Sequence, residues 1–188
     1  TVENDYVYDS VRNRGLDDVA EDLFEGPDFL RETYGEGGAT TYDSFGNLEA
    51  SPPVTVDGVE YPFGRIYYGE GIKQGQVDFM EAQEVQEPFV LDTSWLCVGH
   101  VDEFSTFVPD PSSDKGFKLV VADTKLGLEL LDSVDPGLSL PRYQFDHGFA
   151  TAGEMQSDGP LRAYNEYLQD DHLEPIIEAF KQNLGLED

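Results

Sequence analysis

Residues 94–104 read SWLCVGHVDEF and hold most of the side chains from which a small catalytic site is built. The stretch contains the chain's one cysteine, Cys97, its one tryptophan, Trp95, a histidine, His100, and the adjacent carboxylates Asp102 and Glu103. Three chemistries are open to it: a Cys–His nucleophile pair, a metal site, or a core strand carrying a few polar residues. Trp95, Leu96, Val98, Val101 and Phe104 are apolar and partly β-branched, which predicts an extended segment. Side chains alternate along a strand, so residues two apart share a face. His100 and Asp102 are then expected on one face, with Cys97 on the other beside Val101 and Glu103. A Cys97–His100 pair would need Gly99 to break the alternation, which an isolated glycine can do. The same-face pair joins an imidazole able to move protons to a carboxylate able to hold a cation. A buried histidine satisfied by a nearby acid fits the same residues about as well.

Two other stretches are rich in polar groups. DSVRNRG (9–15) concentrates Asp9, Ser10 and Asn13, short oxygen-bearing side chains of the kind that converge on calcium. Arg12 and Arg14, interleaved with them, carry donors suited to a carbonyl or carboxylate. DSFGNLEASPP (43–53) reads as a tight loop in which Glu49 and backbone carbonyls offer further oxygens. Neither stretch has EF-hand spacing, and two polar turns capped by their own side chains are the plainer reading.

The elements that must position these residues are mixed. Asp57-Gly58 between PVTV and VEYPFGRIYYG predicts a two-residue hairpin. Residues 76–86 read as a short helix with Val77, Met80 and Val85 inward. One or two strands are expected over 89–101 and another over 104–108. FKLVVAD (117–123) reads as a buried strand, followed by a helix capped by Asp123 or Thr124 and running to about Leu131. Residues 132–158 look like a long irregular excursion. Residues 161–184 are helical, with Leu173, Ile176, Ile177, Phe180 and Leu184 at helical spacing, Gly185 as C-terminal cap, and a break or a second helix start near Asp171 ahead of Pro175. Strands alternating with helices make an α/β fold.

The whole chain narrows the function. Its 188 residues suffice for one ordinary domain. With 39 acidic against 11 basic residues the formal charge is −28, a field that repels nucleic acid and anionic membranes and attracts cations, basic peptides and guanidinium groups. An acidic surface serving only solubility is the blander account. One cysteine excludes an intrachain disulfide. No run of residues is apolar enough for a transmembrane helix, and no signal peptide is visible. The chain opens at Thr1, as an excised piece would, so the compartment stays open.

Taken together, several strings resemble the catalytic domain of the calcium-dependent protein-arginine deiminases. They are YDSVRNRGL (8–16), GPDF (26–29), DSFGNLEASPPVTV (43–56), EYPFGRI (60–66), WLCVGHVDEFSTFVP (95–109) and, more loosely, KGFKLVVAD and the closing helix to NLGL. They follow the family's order over most of residues 6–130; residues 132–158 have no counterpart, and Val11 stands where the family usually has proline. The resemblance implies a pentein fold, a five-bladed ring of ββαβ modules around a polar site. It implies calcium-dependent hydrolysis of peptidyl-arginine to peptidyl-citrulline and ammonia, by a cysteine thiolate, a histidine and two aspartates. Carried over, His100 is the general acid/base and Asp102 one guanidinium-binding carboxylate. Arg12, Arg14 and Val98 contact substrate. Asp9, Ser10 and Asn13 match ligands of one calcium ion; Glu49 and the carbonyls of Phe45 and Leu48 match a second, and Asp28 a further calcium-site position.

The resemblance also implies what lies beyond these residues. The family's second catalytic aspartate precedes DSxRNRG, and its nucleophilic cysteine follows NLGL. Residues 1–188 are thus expected to be the middle of one catalytic domain, partnered by its remaining segments, with Cys97 not the nucleophile and the isolated chain inactive. A cytoplasmic location follows by resemblance, with an extracellular one left open. The alternatives are a non-catalytic pentein segment that binds arginine side chains or calcium, and an acidic calcium-binding scaffold with no arginine site.

Overall fold

The computed structural model describes residues 5–10, 18–24, 26–27, 29–34, 40–141 and 148–187. Asp57 and Gly58 both take positive φ, 50° and 83°. That backbone matches the twist of the strands it joins, β4 (Val54–Val56) and β5 (Val59–Tyr61), which pair with Thr55 opposite Glu60. Strand β3 (Leu48–Ala50) runs antiparallel to β6 (Ile66–Gly69), placing Glu49 opposite Tyr67, and β7 (Phe89–Leu91) runs parallel to β6 on its other side. A parallel β6–β7 pair needs a crossover, and helix α2 (Gln74–Ala82) supplies it. Strands β8 (Ser105–Pro109) and β9 (Phe117–Val121) form a second hairpin. Strand β1 (Asp5–Ser10) pairs in parallel with β2 (Phe29–Tyr34), and helix α1 (Asp18–Leu23) lies between them in sequence. The described residues thus carry four small sheets in an α/β arrangement.

The C-terminal third is helical. Helix α3 (Thr124–Ser133) is capped by Asp123, whose carboxylate accepts from the Leu126 N–H at 2.8 Å. Helix α4 (Ala152–Gln156) is opened by Thr151 and Glu154 in a capping box. Helix α5 (Gly159–Leu168) continues through a π turn (Gln169–Leu173) into α6 (Glu174–Leu184), which Gly185 ends at φ 60°.

Several expectations are corrected here. The helix expected to reach residue 86 ends at Ala82, because Glu84 and Glu87 take positive φ to turn the chain into β7, and Val85 is exposed. Strand β9 buries Phe117 but exposes Lys118 and Val120, so it is a half-buried hairpin strand. The excursion over 132–158 contains α4; its residues 142–147 lie outside the described residues. Near Asp171 the helix does not break but widens, and α6 starts just after it at Glu174, close to the expected second start. Pro175 has no N–H and its ring crowds the carbonyl four residues back, at Asp171, inside the wider π turn.

The core joins α6 to the central strands. Phe180 is fully buried, edge-on to Tyr67 (5.1 Å between centroids), Phe89 (6.0 Å) and Phe107 (6.1 Å). Leu91, Val101, Phe104, Phe117, Leu173, Ile176 and Leu184 complete the same cluster. Arg65 ties the C-terminal end of α6 to the strands. Its guanidinium donates to the Glu87 carbonyl twice, at 2.8 and 2.9 Å, and to the Asn183 carbonyl at 2.7 Å, while lying over the rings of Tyr61 and Phe89.

Candidate active site

The segment 94–104 is not the strand that its composition predicts. Residues 94–99 form turns, Gly99 sits at φ 82°, and Val101–Glu103 make one turn of 3-10 helix. Two apolar residues hold this turn down: Val101, fully buried, and Phe104, against which Trp95 packs at 5.6 Å. The turn is locked at its start by the His100 N–H donating to Glu103 Oε1 at 2.9 Å. Cys97 is exposed while Val101 is buried, so these two do not share a face as alternation requires. His100 and Asp102 nevertheless converge, with Nδ1 and Oδ1 3.9 Å apart.

The facing wall is the 40–47 stretch, two short 3-10 turns (Thr41–Asp43 and Phe45–Asn47). Asp43 pins the first: its carboxylate accepts from the Thr40 N–H at 2.7 Å and from the Lys73 N–H ahead of α2 at 2.9 Å. Asn47, fully buried, staples the second to β6 by donating to the carbonyls of Tyr42 and Gly69 and accepting from the Gly69 N–H. The Tyr42 ring lies against two glycines. A Cβ on Gly71 would stand 3.0 Å from it and one on Gly99 2.5 Å, and both take positive φ, so larger residues are excluded twice over.

These supports bring Thr41 onto the imidazole. His100 Nε2 lies 2.7 Å from the Thr41 carbonyl and 3.1 Å from its hydroxyl. The His100 side chain is 14% exposed and the Asp102 side chain 50% exposed, so the pair opens to solvent on the Asp102 side. Gly46 closes the opposite side. A Cβ there would meet Asp102 Oδ2 at 2.7 Å and His100 Nδ1 at 2.8 Å. Negative charge gathers around this gap: burial, and then the Asp102 charge, push the Glu49 carboxyl above its usual range. Beneath it the buried Tyr67 hydroxyl is pushed up to about 12, by burial foremost and by Glu49 and Asp102 in part, against a hydrogen bond with Ser105. An imidazole, two carboxylates and a glycine with no side chain to crowd them make surroundings suited to a cationic group.

The sequence model of the family "Protein-arginine deiminase (PAD)" matches residues 4–188. The chain belongs to the protein-arginine deiminase family. It is 41% identical over 178 residues to the human protein-arginine deiminase type-1, covering 89% of this chain and 26% of that protein. It is 46% identical over 206 aligned residues to the human type-3 protein, covering 96% of this chain and 29% of that one. Against the human type-4 protein it is 49% identical over 130 residues, covering 63% of this chain and 20% of the relative. This deiminase-family chain therefore spans between a fifth and a third of the length of these relatives.

Of the site residues expected in this deiminase-family chain, the structure brings His100 and Asp102 to 3.9 Å, with Glu49 near enough for the Asp102 charge to raise its carboxyl. Val98 lies in the turn before His100, 43% exposed. Phe45 is strongly exposed, and its carbonyl accepts from the Leu48 N–H in the turn preceding β3. Asp9 and Ser10 end strand β1, while Arg12, Asn13, Arg14 and Asp28 lie outside the described residues. Among the described residues, no group of three or more His, Cys, Asp or Glu is placed to hold a metal. The residues that sequence reasoning missed are Thr41, Asp43, Gly46 and Asn47. One signal for them was legible: Thr40-x-x-Asp43 is a capping pattern, which fixes where the first turn begins.

Proposed function

We propose that the protein to which this chain belongs hydrolyses peptidyl-arginine to peptidyl-citrulline and ammonia in a calcium-dependent reaction. The observation that carries this reading is the 3.9 Å approach of His100 and Asp102, within a family match over residues 4–188. Asp102 grips the substrate guanidinium and His100 moves the protons. Arg12, Arg14 and Val98 hold the peptide backbone. The four small sheets are pieces of a five-bladed pentein ring, with residues 1–188 as one part of that catalytic domain.

Calcium is the implied cofactor. The expected donors suit it: Glu49 and the carbonyls of Phe45 and Leu48 are hard oxygens. Glu49 and Asp102 repel one another, and a cation would relieve that repulsion. Asp9, Ser10, Asn13 and Asp28 are the donors of further calcium sites. When bound, calcium supplies positive charge that orders its oxygen ligands.

The nucleophile is the open role. Attack on a resonance-stabilised guanidinium requires a thiolate, because hydroxyl and water are too weak at neutral pH without activation. Cys97, the one thiol here, is exposed on the turn before Gly99. The second reading is that this segment binds arginine or calcium without performing chemistry; the charge of Asp102 on Glu49 suits a cation whether or not a nucleophile is supplied.

The test is citrulline formation from an arginine peptide with calcium and reductant. It is run on the 188-residue chain and on the product of the complete reading frame. The chain alone is expected to be inactive. In the complete product, His100→Gln should lower turnover at least about 100-fold, the usual worth of a positioned acid/base. Activity of the chain alone that disappears in Cys97→Ser would overturn both assignments. Preference for arginine over lysine peptides without turnover in the complete product would support the second reading.

A further inference from the structure

We propose that Thr41 and Gly46 are positioning residues that commit His100 to one tautomer, leaving Nδ1 as the nitrogen that handles protons. A carbonyl oxygen can only accept, so the 2.7 Å contact of Nε2 with the Thr41 carbonyl requires the hydrogen on Nε2. The neutral ring then carries its lone pair on Nδ1. The Thr41 hydroxyl, 3.1 Å from the same nitrogen, can either accept from it or donate to it, so the carbonyl alone decides the tautomer. The backbone on both sides of this contact is held: the His100 N–H is tied to Glu103, and Thr41 sits in a turn pinned by Asp43 to Thr40 and Lys73.

Nδ1 faces the gap to Asp102. At 3.9 Å from Oδ1 it is too far for a direct hydrogen bond, so the two atoms leave a gap between them. A donor group of a cationic guest placed in this gap would meet both. Gly46 keeps the gap open, since any Cβ would stand within 2.8 Å of both Nδ1 and Asp102 Oδ2. The constraint here is space and not a left-handed backbone: a Cβ would displace the half-exposed Asp102 carboxylate or the His100 ring. Had Nδ1 carried the hydrogen instead, Nε2 would place a lone pair 2.7 Å from a carbonyl lone pair, with only the longer contact to the Thr41 hydroxyl left to satisfy it.

The significance of this tautomer rests on the reading of His100 as proton carrier, but its test does not. Histidine-selective ¹⁵N labelling of the product of the complete reading frame, with His100 identified by its loss in His100→Gln, reports which ring nitrogen is protonated while the ring is neutral. A protonated Nε2 with a bare Nδ1 is expected. A protonated Nδ1, or rapid exchange between two comparable tautomers, overturns the proposal. Thr41→Val keeps the carbonyl and should keep the tautomer; a switch to a mixture would transfer the role to the hydroxyl and overturn the carbonyl's part. Gly46→Ala should shift both ring nitrogens and end the single-tautomer signature, whereas Gly75→Ala, which meets no atom within 4 Å, should change neither. A folded Gly46→Ala protein with an unchanged His100 spectrum overturns the role of Gly46. Addition of N-acetyl-arginine amide should then shift Nδ1 in the wild type. No shift, with the Nε2–H tautomer intact, would refute the arginine reading and leave the positioning assignment standing.

Discussion

Val101 sits between the two residues on which the site depends, and its side chain points the other way, fully buried in the core. Truncating Val101→Ala removes two methyl-sized groups, each worth about 0.8 kcal/mol of lost burial, so about 1.6 kcal/mol in all if the surroundings close over the space. If they do not, a residual cavity of about 40 Å3 adds about 1 kcal/mol at the usual cavity coefficient. The expected loss is therefore about 1.6 to 2.6 kcal/mol, a large fraction of the stability of a small domain. Urea unfolding should show a lower midpoint with an unchanged slope. Val120→Ala, on the exposed face of β9, is the control and should stay within about 0.5 kcal/mol of wild type.

The same substitution has a second reading at the site. The 3-10 turn is only three residues long, and Val101 and Phe104 are what anchor it. Loosening Val101 should therefore broaden the ring resonances of His100 in the folded protein, with little effect on His172. Stability loss below about 0.5 kcal/mol would mean that the turn is not held by the core. Full stability loss with sharp, unshifted His100 resonances would mean that the 41–47 wall alone positions the ring.

Three further outcomes follow from named contacts. Burial pulls the Asp92 carboxyl up, but hydrogen bonds from Ser94 and His172 outweigh it and hold the group below its usual range; its contribution to stability is present above the ordinary aspartate range and lost as pH falls through the lowered value, so acid unfolding of Asp92→Asn should show a shallower dependence on pH than wild type. Arg65→Lys breaks a planar fork that holds the carbonyls of Glu87 and Asn183 at once, and should cost about 2 to 3 kcal/mol; an unchanged Tm would refute that role. The Glu49 carboxyl is raised, so the stability linked to its proton is present below the ordinary glutamate range and lost as pH rises through the folded value; Asp102→Asn should bring its titration down without restoring it fully, because burial remains, and an unmoved titration by ¹³C NMR would show that the two carboxylates do not interact.

The elements legible in the sequence were those with local causes. The Asp57-Gly58 hairpin, the Asp123 cap and the Gly185 stop each depend on two or three neighbouring residues, and each stands where the residues place it. The capping box at Thr151–Glu154 was equally local, and reading 132–158 as uniform excursion overlooked it. Residues 94–104 are a different case. Their β-branched and aromatic content has the composition of a strand, but no ladder receives them; burial of Val101 and Phe104 and the positive φ of Gly99 override the local preference. His100 and Asp102 still meet, though not by alternation. They meet because His100 is held from one side by Thr41, fifty-nine residues earlier, and because Gly46 leaves the space between them clear. A contact across that separation leaves no periodic trace in either segment. What the sequence does carry is the means of fixing each wall separately: Asp43 and Asn47 on one, Val101 and Glu103 on the other. Each of these makes its turn rigid without reference to the other wall, so the imidazole and the carboxylate are set before any ligand arrives, which is the condition under which positioning lowers a barrier.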